Sequence, residues 1–200
     1  MNRLMRWCFE RLYREFAWSY DLVAAAVSLG RWNAWAAAAL AYAAPPTLEL
    51  GCGPGHLQRR LLGTGGAVGA VGVDRSRQML RRARRNAPGA LLVCADARAL
   101  PFAGPHFASV LATFPAEYIA DAATAAEIRR VLLPGGAAAV VVWAEMGRAR
   151  AADGAGPTVH RRVLAHLAGA GLAAAYRPTE VAGATVHMIV AERAYAADAG

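Results

Sequence analysis

Apolar runs and helix-compatible stretches alternate along this chain from residue 45 onward. The run 45–50 passes into three glycines at alternate positions, and residues 56–62 then read as a helix, giving strand, tight turn and helix. Residues 67–74 form a run of valine and small residues that closes on Asp74, as a buried parallel strand would. Residues 91–97 repeat the pattern and carry Asp96 near their end, and a fourth run opens at His106 and Phe107. Beyond it the pattern predicts a helix over 122–133, a strand over 137–143 and a flexible Gly/Ala/Asp stretch over 147–156. A helix over 157–170 and strands near 172–177 and 185–191 complete the chain.

The first 44 residues follow a different period. On a helical wheel Met5, Cys8, Phe9, Leu12, Tyr13, Phe16 and Tyr20 share one side, while Arg3, Arg6, Glu10 and Arg14 share the other. Gly30 interrupts the pattern, Trp32 and Trp35 open a second helical stretch, and Pro45-Pro46 end the section. Two placements suit such a face. It packs on the sheet as a lid, or it rests on lipid with its flanking arginines and tryptophans at the interface. Glu10 and Glu15 count against strong binding to anionic lipid.

Composition narrows the class. Two hundred residues with 56% hydrophobic and 18% charged positions predict one folded domain rather than disorder. All 22 basic residues are arginine, and alanine is heavily used, which looks like compositional drift more than function. The net charge of +8 favours anionic encounters. Arg81, Arg82, Arg84 and Arg85 wrap around a helix instead of lining one stripe, which predicts a solvated outer helix. No appended RNA-binding module or lysine-rich tail supports a nucleic-acid partner. Cys8, Cys52 and Cys94 form no C-x-x-C pair, which points to a reduced, cytoplasmic setting. Cys52 reads as a small buried filler. The five histidines show no metal-ligand spacing, so no metal is expected. No run is long enough to span a membrane, and the arginine-dotted N-terminus does not read as a secretion signal. The expected location is cytoplasmic, at the inner membrane face if the N-terminal helices touch lipid.

The chemistry is carried by the strand tips. Glu49, Gly51, Cys52, Gly53, Pro54 and Gly55 form a turn in which glycine lets a ligand press on bare backbone. Dinucleotide turns space their glycines G-x-G-x-x-G. Here the spacing is G-x-G-x-G and Pro54 removes a donor, which suits an uncharged or zwitterionic group better than a pyrophosphate. Asp74 follows Gly55 by 19 residues, where a carboxylate at the second strand tip reaches a ribose. Asp96 falls at the carboxyl edge of the third strand.

Together these segments resemble the class I S-adenosylmethionine-dependent methyltransferases. LELGCGPG is similar to their first motif, VGVDRSRQML to the second, CADARALPF to the third, and RRVLLPGGAAAVVV to the helix, Pro-Gly-Gly turn and fifth strand. The match is strongest over 45–145 and closest in flavour to quinone-biosynthesis C-methyltransferases. It implies an α/β fold of three αβα layers, with a seven-stranded mostly parallel sheet, an antiparallel last strand and an N-terminal helical cap. It also implies S-adenosylmethionine as cofactor, held by Glu49, Gly51, Cys52, Gly53, Asp74, Arg75, Met79, Asp96, Ala97, Thr113 and Phe114. Tyr20-Asp21 is similar to a pair that lies over the cofactor in relatives. One departure stands out: many relatives carry an acid where the fourth strand here has Ala108.

A sulfonium methyl already has an excellent leaving group, so orientation and exclusion of water are the main requirements. This agrees with strong cofactor motifs and no catalytic triad. A general base is needed only for a protonated acceptor. The candidates are Glu117, Tyr118 and Tyr20, with His106 at the far end of its strand. Glu49 reads as a ligand of the cofactor's amino group or as a supporting residue behind it. The acceptor expected is a small or lipid-like molecule, because no large capping insertion is visible. The readings from other classes are a non-catalytic cofactor-binding regulator or partner subunit, an RNA methyltransferase and a dinucleotide-binding oxidoreductase.

Overall fold

The computed structural model describes residues 30–63, 69–146 and 158–195. Tyr20, Asp21, the wheel face of the first section and the stretch 147–156 lie outside the described residues. Among the described residues, seven strands form one sheet: β1 (Thr47–Leu50), β2 (Ala70–Asp74), β3 (Leu91–Cys94), β4 (Phe107–Thr113), β5 (Leu132–Met146), β6 (Ala173–Val181) and β7 (Ala184–Glu192). Their order is β3-β2-β1-β4-β5-β7-β6. The pairs β1–β2, β2–β3, β1–β4 and β4–β5 are parallel, and β7 runs antiparallel to both neighbours. The predicted three-layer fold with an antiparallel last strand is therefore present.

The central strands β1 and β4 read as continuous apolar runs because both faces are covered. On one face Leu48, Val110, Val140 and Ile189 pack with Ile128 of α4 (Ala122–Val131) and Val163 and Leu167 of α5 (Thr158–Gly169). On the other, Leu111, Val141, Val186 and Met188 pack with Leu57 and Leu61 of α2 (His56–Gly63) and Trp35 of α1 (Trp32–Ala36). A 3-10 turn, Ala37–Tyr42, continues α1 and buries Ala39. Helix α3 (Arg77–Asn86) turns Met79, Leu80 and Ala83 inward. Its Arg81, Arg84 and Arg85 are exposed, as a solvated outer helix requires.

Two local differences from the sequence reading have clear causes. The Pro134-Gly135-Gly136 turn, expected before the fifth strand, lies inside β5. Gly135 N–H donates to Arg193 O and Arg193 N–H donates to Gly136 O, so neighbouring backbone keeps the segment paired. A Cβ on Gly136 would meet the Ala108 and Leu133 carbonyl oxygens at 2.9 Å. The missing acid of the fourth strand is replaced one residue on. Ser109 Oγ accepts the Ala44 N–H at 3.0 Å and lies 2.9 Å from Thr47 Oγ1, fastening the approach to β1 onto β4. Among the described residues no helix is long and apolar enough to cross a membrane.

Candidate functional site

The sheet register sets the tips of four strands side by side. Leu50 pairs with Val73 and Ala112, and Asp74 pairs with Cys94. Gly51–Gly55, Asp74, Asp96 and Thr113-Phe114 therefore emerge along one edge.

The glycine turn is fastened by its own N–H groups. Cys52 N–H donates to Val73 O, Gly55 N–H to Cys52 O, and Gly53 N–H to Asp74 Oδ2 at 2.9 Å. Pro54 has no N–H. Its carbonyl accepts from Asn86 Nδ2 at 2.9 Å, which ties the back of the turn to α3. Gly51, Gly53 and Gly55 all have positive φ, at 67°, 50° and 85°. Their surroundings differ. A Cβ on Gly51 would strike the Tyr118 hydroxyl, and one on Gly55 would meet Ala83 at 2.9 Å. On Gly53 the nearest atom is Gly51 O at 4.0 Å. Of the three, Gly53 faces open space, whereas the other two are bare because protein packs against them.

Asp74 joins the first two tips. Its Oδ1 accepts the Ser76 N–H at 2.7 Å and its Oδ2 the Gly53 N–H. Each oxygen keeps a lone pair for a further donor. Burial pushes its carboxyl above the usual value, opposed by the hydrogen bonds from Ser76 and Gly53. Glu49, 1% exposed, lies beneath the turn with Oε2 accepting from Gln58 Nε2 at 2.7 Å. Burial pushes its carboxyl up to about 8 against the lowering effect of the Gln58 bond, and Asp74 adds to the rise. Cys52 is buried, and burial with the two nearby carboxylates pushes its thiol far up, so it is inert filler.

The remaining candidates fall into two groups. Asp96 Oδ1 accepts the Arg98 N–H at 2.9 Å, and the Arg98 guanidinium bridges Asp96 (3.2 Å) to Asp121 (2.5 Å). That bridge couples the third tip to the start of α4. Ala97 and Met79 are buried, and Arg75 is exposed. Tyr118 donates its hydroxyl to Leu50 O at 3.1 Å, so the structure sets it against the glycine turn. Glu117 is exposed on the 3-10 turn Glu117–Ala120. His106 sits before β4, at the opposite end of that strand from Phe114.

Beyond Thr113 lies a cavity of about 570 Å³. Trp32, Trp35, Phe114, Val142, Trp143 and Met146 wall it, with Pro115, Ala144 and Glu145. Phe114 has φ 46° and its ring stacks on Trp32 at 3.8 Å. A non-glycine residue at such a φ is strained, and such strain gathers at functional sites. Sequence reasoning found Phe114 but missed Trp32, Trp35, Trp143 and Glu145 as wall residues. The signal available for Trp143 and Glu145 was their place at the carboxyl end of a predicted strand, where open α/β sheets bind ligands. Among the described residues no group of three His, Cys, Asp or Glu side chains could hold a metal ion.

Comparison with known proteins agrees with this geometry. Residues 47–136 match the family model described as a methyltransferase domain. Demethylmenaquinone methyltransferase of Roseiflexus castenholzii is 34% identical over 65% of this chain and 58% of its own length. Malonyl-[acyl-carrier protein] O-methyltransferase of Halorhodospira halophila is 36% identical over 50% of this chain and 34% of its own. The chain thus spans little over half the length of the first of these relatives, and less of the second. Among solved structures, Streptomyces venezuelae DesVI superposes with a TM-score of 0.64 at 21% identity, covering 90% of this chain and 99% of that one. A possible histamine N-methyltransferase of Thermotoga maritima gives 0.62 at 17%, covering 92% and 97%. These two likenesses concern the fold.

Proposed function

Because the chain carries a class I S-adenosylmethionine-dependent methyltransferase domain, we propose that it moves the sulfonium methyl group to a small, flat, apolar acceptor held in the aromatic cavity. The observation that carries this reading is the position of that cavity beyond the tip of β4, the strand that pairs with β1 and so neighbours its glycine turn, with walls that are aromatic and aliphatic apart from Glu145. A flat ring buries its faces against Trp32, Phe114 and Trp143, and such stacking is worth about 0.5–1.5 kcal/mol per pair beyond area burial. The relatives whose names specify a demethylmenaquinone acceptor make a reduced naphthoquinone the first compound to try.

The residues present fit the cofactor. Cys52, Gly53 and Gly55 have already spent their N–H groups and Pro54 has none, so the turn is a poor pyrophosphate cradle. Open space over Gly53 and the free lone pairs of Asp74 suit a nucleoside and its ribose hydroxyls. Asp74 adds negative potential for a cationic ligand, the neutral buried Glu49 becomes ionised once a cation lies near it, and Asp96-Ala97 stands at the third tip for the adenine edge. Thr113 and Phe114 separate this pocket from the acceptor cavity. When bound, S-adenosylmethionine supplies an activated methyl group. The protein's part is to orient the acceptor, exclude water and hold the proton it gives up. The described part of the chain is assigned to one domain, built around this single sheet.

Two measurements test the reading. Radiolabelled methyl transfer from S-adenosylmethionine to reduced demethylmenaquinone is expected with the full chain, and Trp32→Ala should raise the acceptor KM about tenfold, the size of one lost stacking contact. Absence of transfer to any reduced quinone or phenol overturns the acceptor class. Calorimetry with S-adenosylmethionine and Asp74→Ala should show binding weakened by about 1–3 kcal/mol, the scale of a hydrogen bond to a charged group. An unchanged Kd refutes the ribose role, and tighter binding of NAD(P) refutes the cofactor itself.

A further inference from the structure

Among the described residues, Glu145 is the one ionisable side chain that lines the aromatic cavity. It stands near the carboxyl end of β5 with its side chain 60% exposed. Behind it lie two buried histidines, His187 and His160, and the exposed Tyr176. His187 of β7 pairs with Trp143 in the β5–β7 register, and the two rings stack at 3.9 Å with an interplanar angle of 11°. His187 is 7% exposed, and its Nδ1 shares a short hydrogen bond with the Tyr176 hydroxyl. Its Nε2 lies 3.8 Å from Glu145 Oε2 and, among the described residues, has no hydrogen-bond partner. Both ring nitrogens of the neighbouring buried His160 also lack a hydrogen-bond partner among the described residues, so what distinguishes His187 is the placement of its two nitrogens. Here one nitrogen is locked by a phenol and the other is aimed at a carboxylate on the cavity rim.

We propose that Glu145 takes the proton of an acidic hydroxyl on the acceptor, and that His187 and Tyr176 are positioning residues that orient its carboxylate. This rests on the acceptor reading above and extends it to the acceptor's chemistry: a phenol or hydroquinone, not an amine or a thioether. In the step the acceptor's O–H bond breaks, its electron pair stays on the acceptor oxygen, and the proton bonds to a Glu145 oxygen. Glu145 then passes it to water at the exposed rim. No oxidant or reductant is involved.

The order of the chain follows from hydrogen-bond roles. A phenol O–H donated to Nδ1 puts the imidazole proton on Nε2, which then donates to Glu145 Oε2 after a small rotation of the exposed carboxylate. Oε1 is left for the acceptor. The imidazole must stay neutral for this, because a cation there would hold Glu145 ionised and make it a poor base. Burial lowers the His187 ionisation below the usual imidazole value, with Glu145 raising it and His160 lowering it, and Glu180 raising it slightly. His160 of α5 itself is held low by burial and by Arg161. The groups facing His187 are thus Glu145 from β5, Tyr176 and Glu180 from β6, and His160 from α5, whose ring lies 4.4 Å from that of Tyr176.

The test uses the full chain without cofactor, so that it is independent of methyl transfer. The probes are 2-naphthol and 2-methoxynaphthalene, which differ in the proton Glu145 would accept. By calorimetry 2-naphthol should bind the wild type about tenfold more tightly than Glu145→Gln, the scale of a charge-assisted hydrogen bond. Glu145→Asp should recover part of that loss, and 2-methoxynaphthalene should bind all three proteins alike. Imidazole nitrogen NMR should find the Nε2–H tautomer at His187. Its ionisation should move down in Glu145→Gln, because an anionic neighbour has been removed, and its tautomer preference should weaken in Tyr176→Phe. Equal naphthol affinity in Glu145→Gln, no naphthol binding to the wild type, or a His187 titration indifferent to Glu145 overturns the proposal. Failure of S-adenosylmethionine to bind overturns the methyltransferase reading instead and leaves these arms unaffected.

Discussion

Gly53→Val abolishes binding of S-adenosylmethionine, with an expected loss of at least about a hundredfold in affinity. Two effects combine. The φ of 50° at Gly53 is a left-handed conformation that costs an L-residue roughly 1–2 kcal/mol, and more when the side chain is β-branched. The valine methyls would also fill the open space that Gly53 alone of the three turn glycines faces. The first effect is a stability loss and the second a binding loss, so a control can separate them. Gly89 has φ 90° with nothing within 4 Å of a Cβ, far from the strand tips at the start of β3. Gly89→Val should lower the unfolding free energy by a similar amount and leave the cofactor Kd unchanged. Gly53→Ala should fall between the wild type and valine in binding. If Gly53→Val binds the cofactor normally, the nucleoside does not lie over this turn.

The same glycine turn shows what a sequence can and cannot reveal. Three glycines at alternate positions announced a bare-backbone turn, and it is there. The pattern could not say which glycine faces open space, because Gly51 answers to Tyr118 and Gly55 to Ala83, residues 67 and 28 positions away. The central strands were legible because burial on both faces turns them into unbroken apolar runs, as in β1 and β4. Strand β6 was predicted short, at 172–177, because most of its residues are exposed and carry no pattern. Its backbone pairing with β7 runs the full length, from Ala173 opposite Glu192 to Val181 opposite Ala184. Asp74 was legible as a strand-tip acid. Its hydrogen bond to the Gly53 N–H was not, since that depends on how the turn closes. The aromatic cavity was least legible of all. Trp143 and His187, 44 residues apart in sequence, are brought together by the antiparallel register, and Trp32 stacks on Phe114 across the sheet edge. Such contacts are properties of topology and leave no local period.

Glu49→Gln should make the protein more stable at alkaline pH. In the folded state the Glu49 carboxyl is pushed up from 4.5 to about 8 by burial. Between those values the folded chain holds a proton that the unfolded chain has released. Stability therefore falls as pH rises through this window, by about 1.4 kcal/mol per unit and on the order of 4 kcal/mol by pH 8. The hydrogen-bond inventory supports a protonated resting form. Gln58 is fully buried, its Nε2 donates to Glu49 Oε2, and its Oε1 has no partner among the described residues. A protonated Glu49 can donate to that orphan oxygen, and so can the amide that Glu49→Gln introduces, whatever the pH. Denaturation of wild type and Glu49→Gln at several pH values should therefore give nearly equal stabilities near pH 4 and a gap opening to roughly 4 kcal/mol at pH 8, or about 10 °C in Tm for a chain of this size. Glu127, whose carboxyl is held low by its hydrogen bond from Arg130 and by the Leu100 N–H, loses stability as pH falls, but does so in both proteins and cancels in the comparison. Parallel curves, or a variant less stable than wild type at pH 8, would falsify the neutral buried carboxyl. If the gap appears, the natural glutamate is retained at a stability cost near neutral pH. A cationic group of the cofactor then gives the reason, since only a nearby positive charge makes the ionised form favourable there. The consequence is measurable: S-adenosylmethionine binding near pH 7 should release a proton from the wild type, seen as buffer-dependent binding heat, and release none from Glu49→Gln.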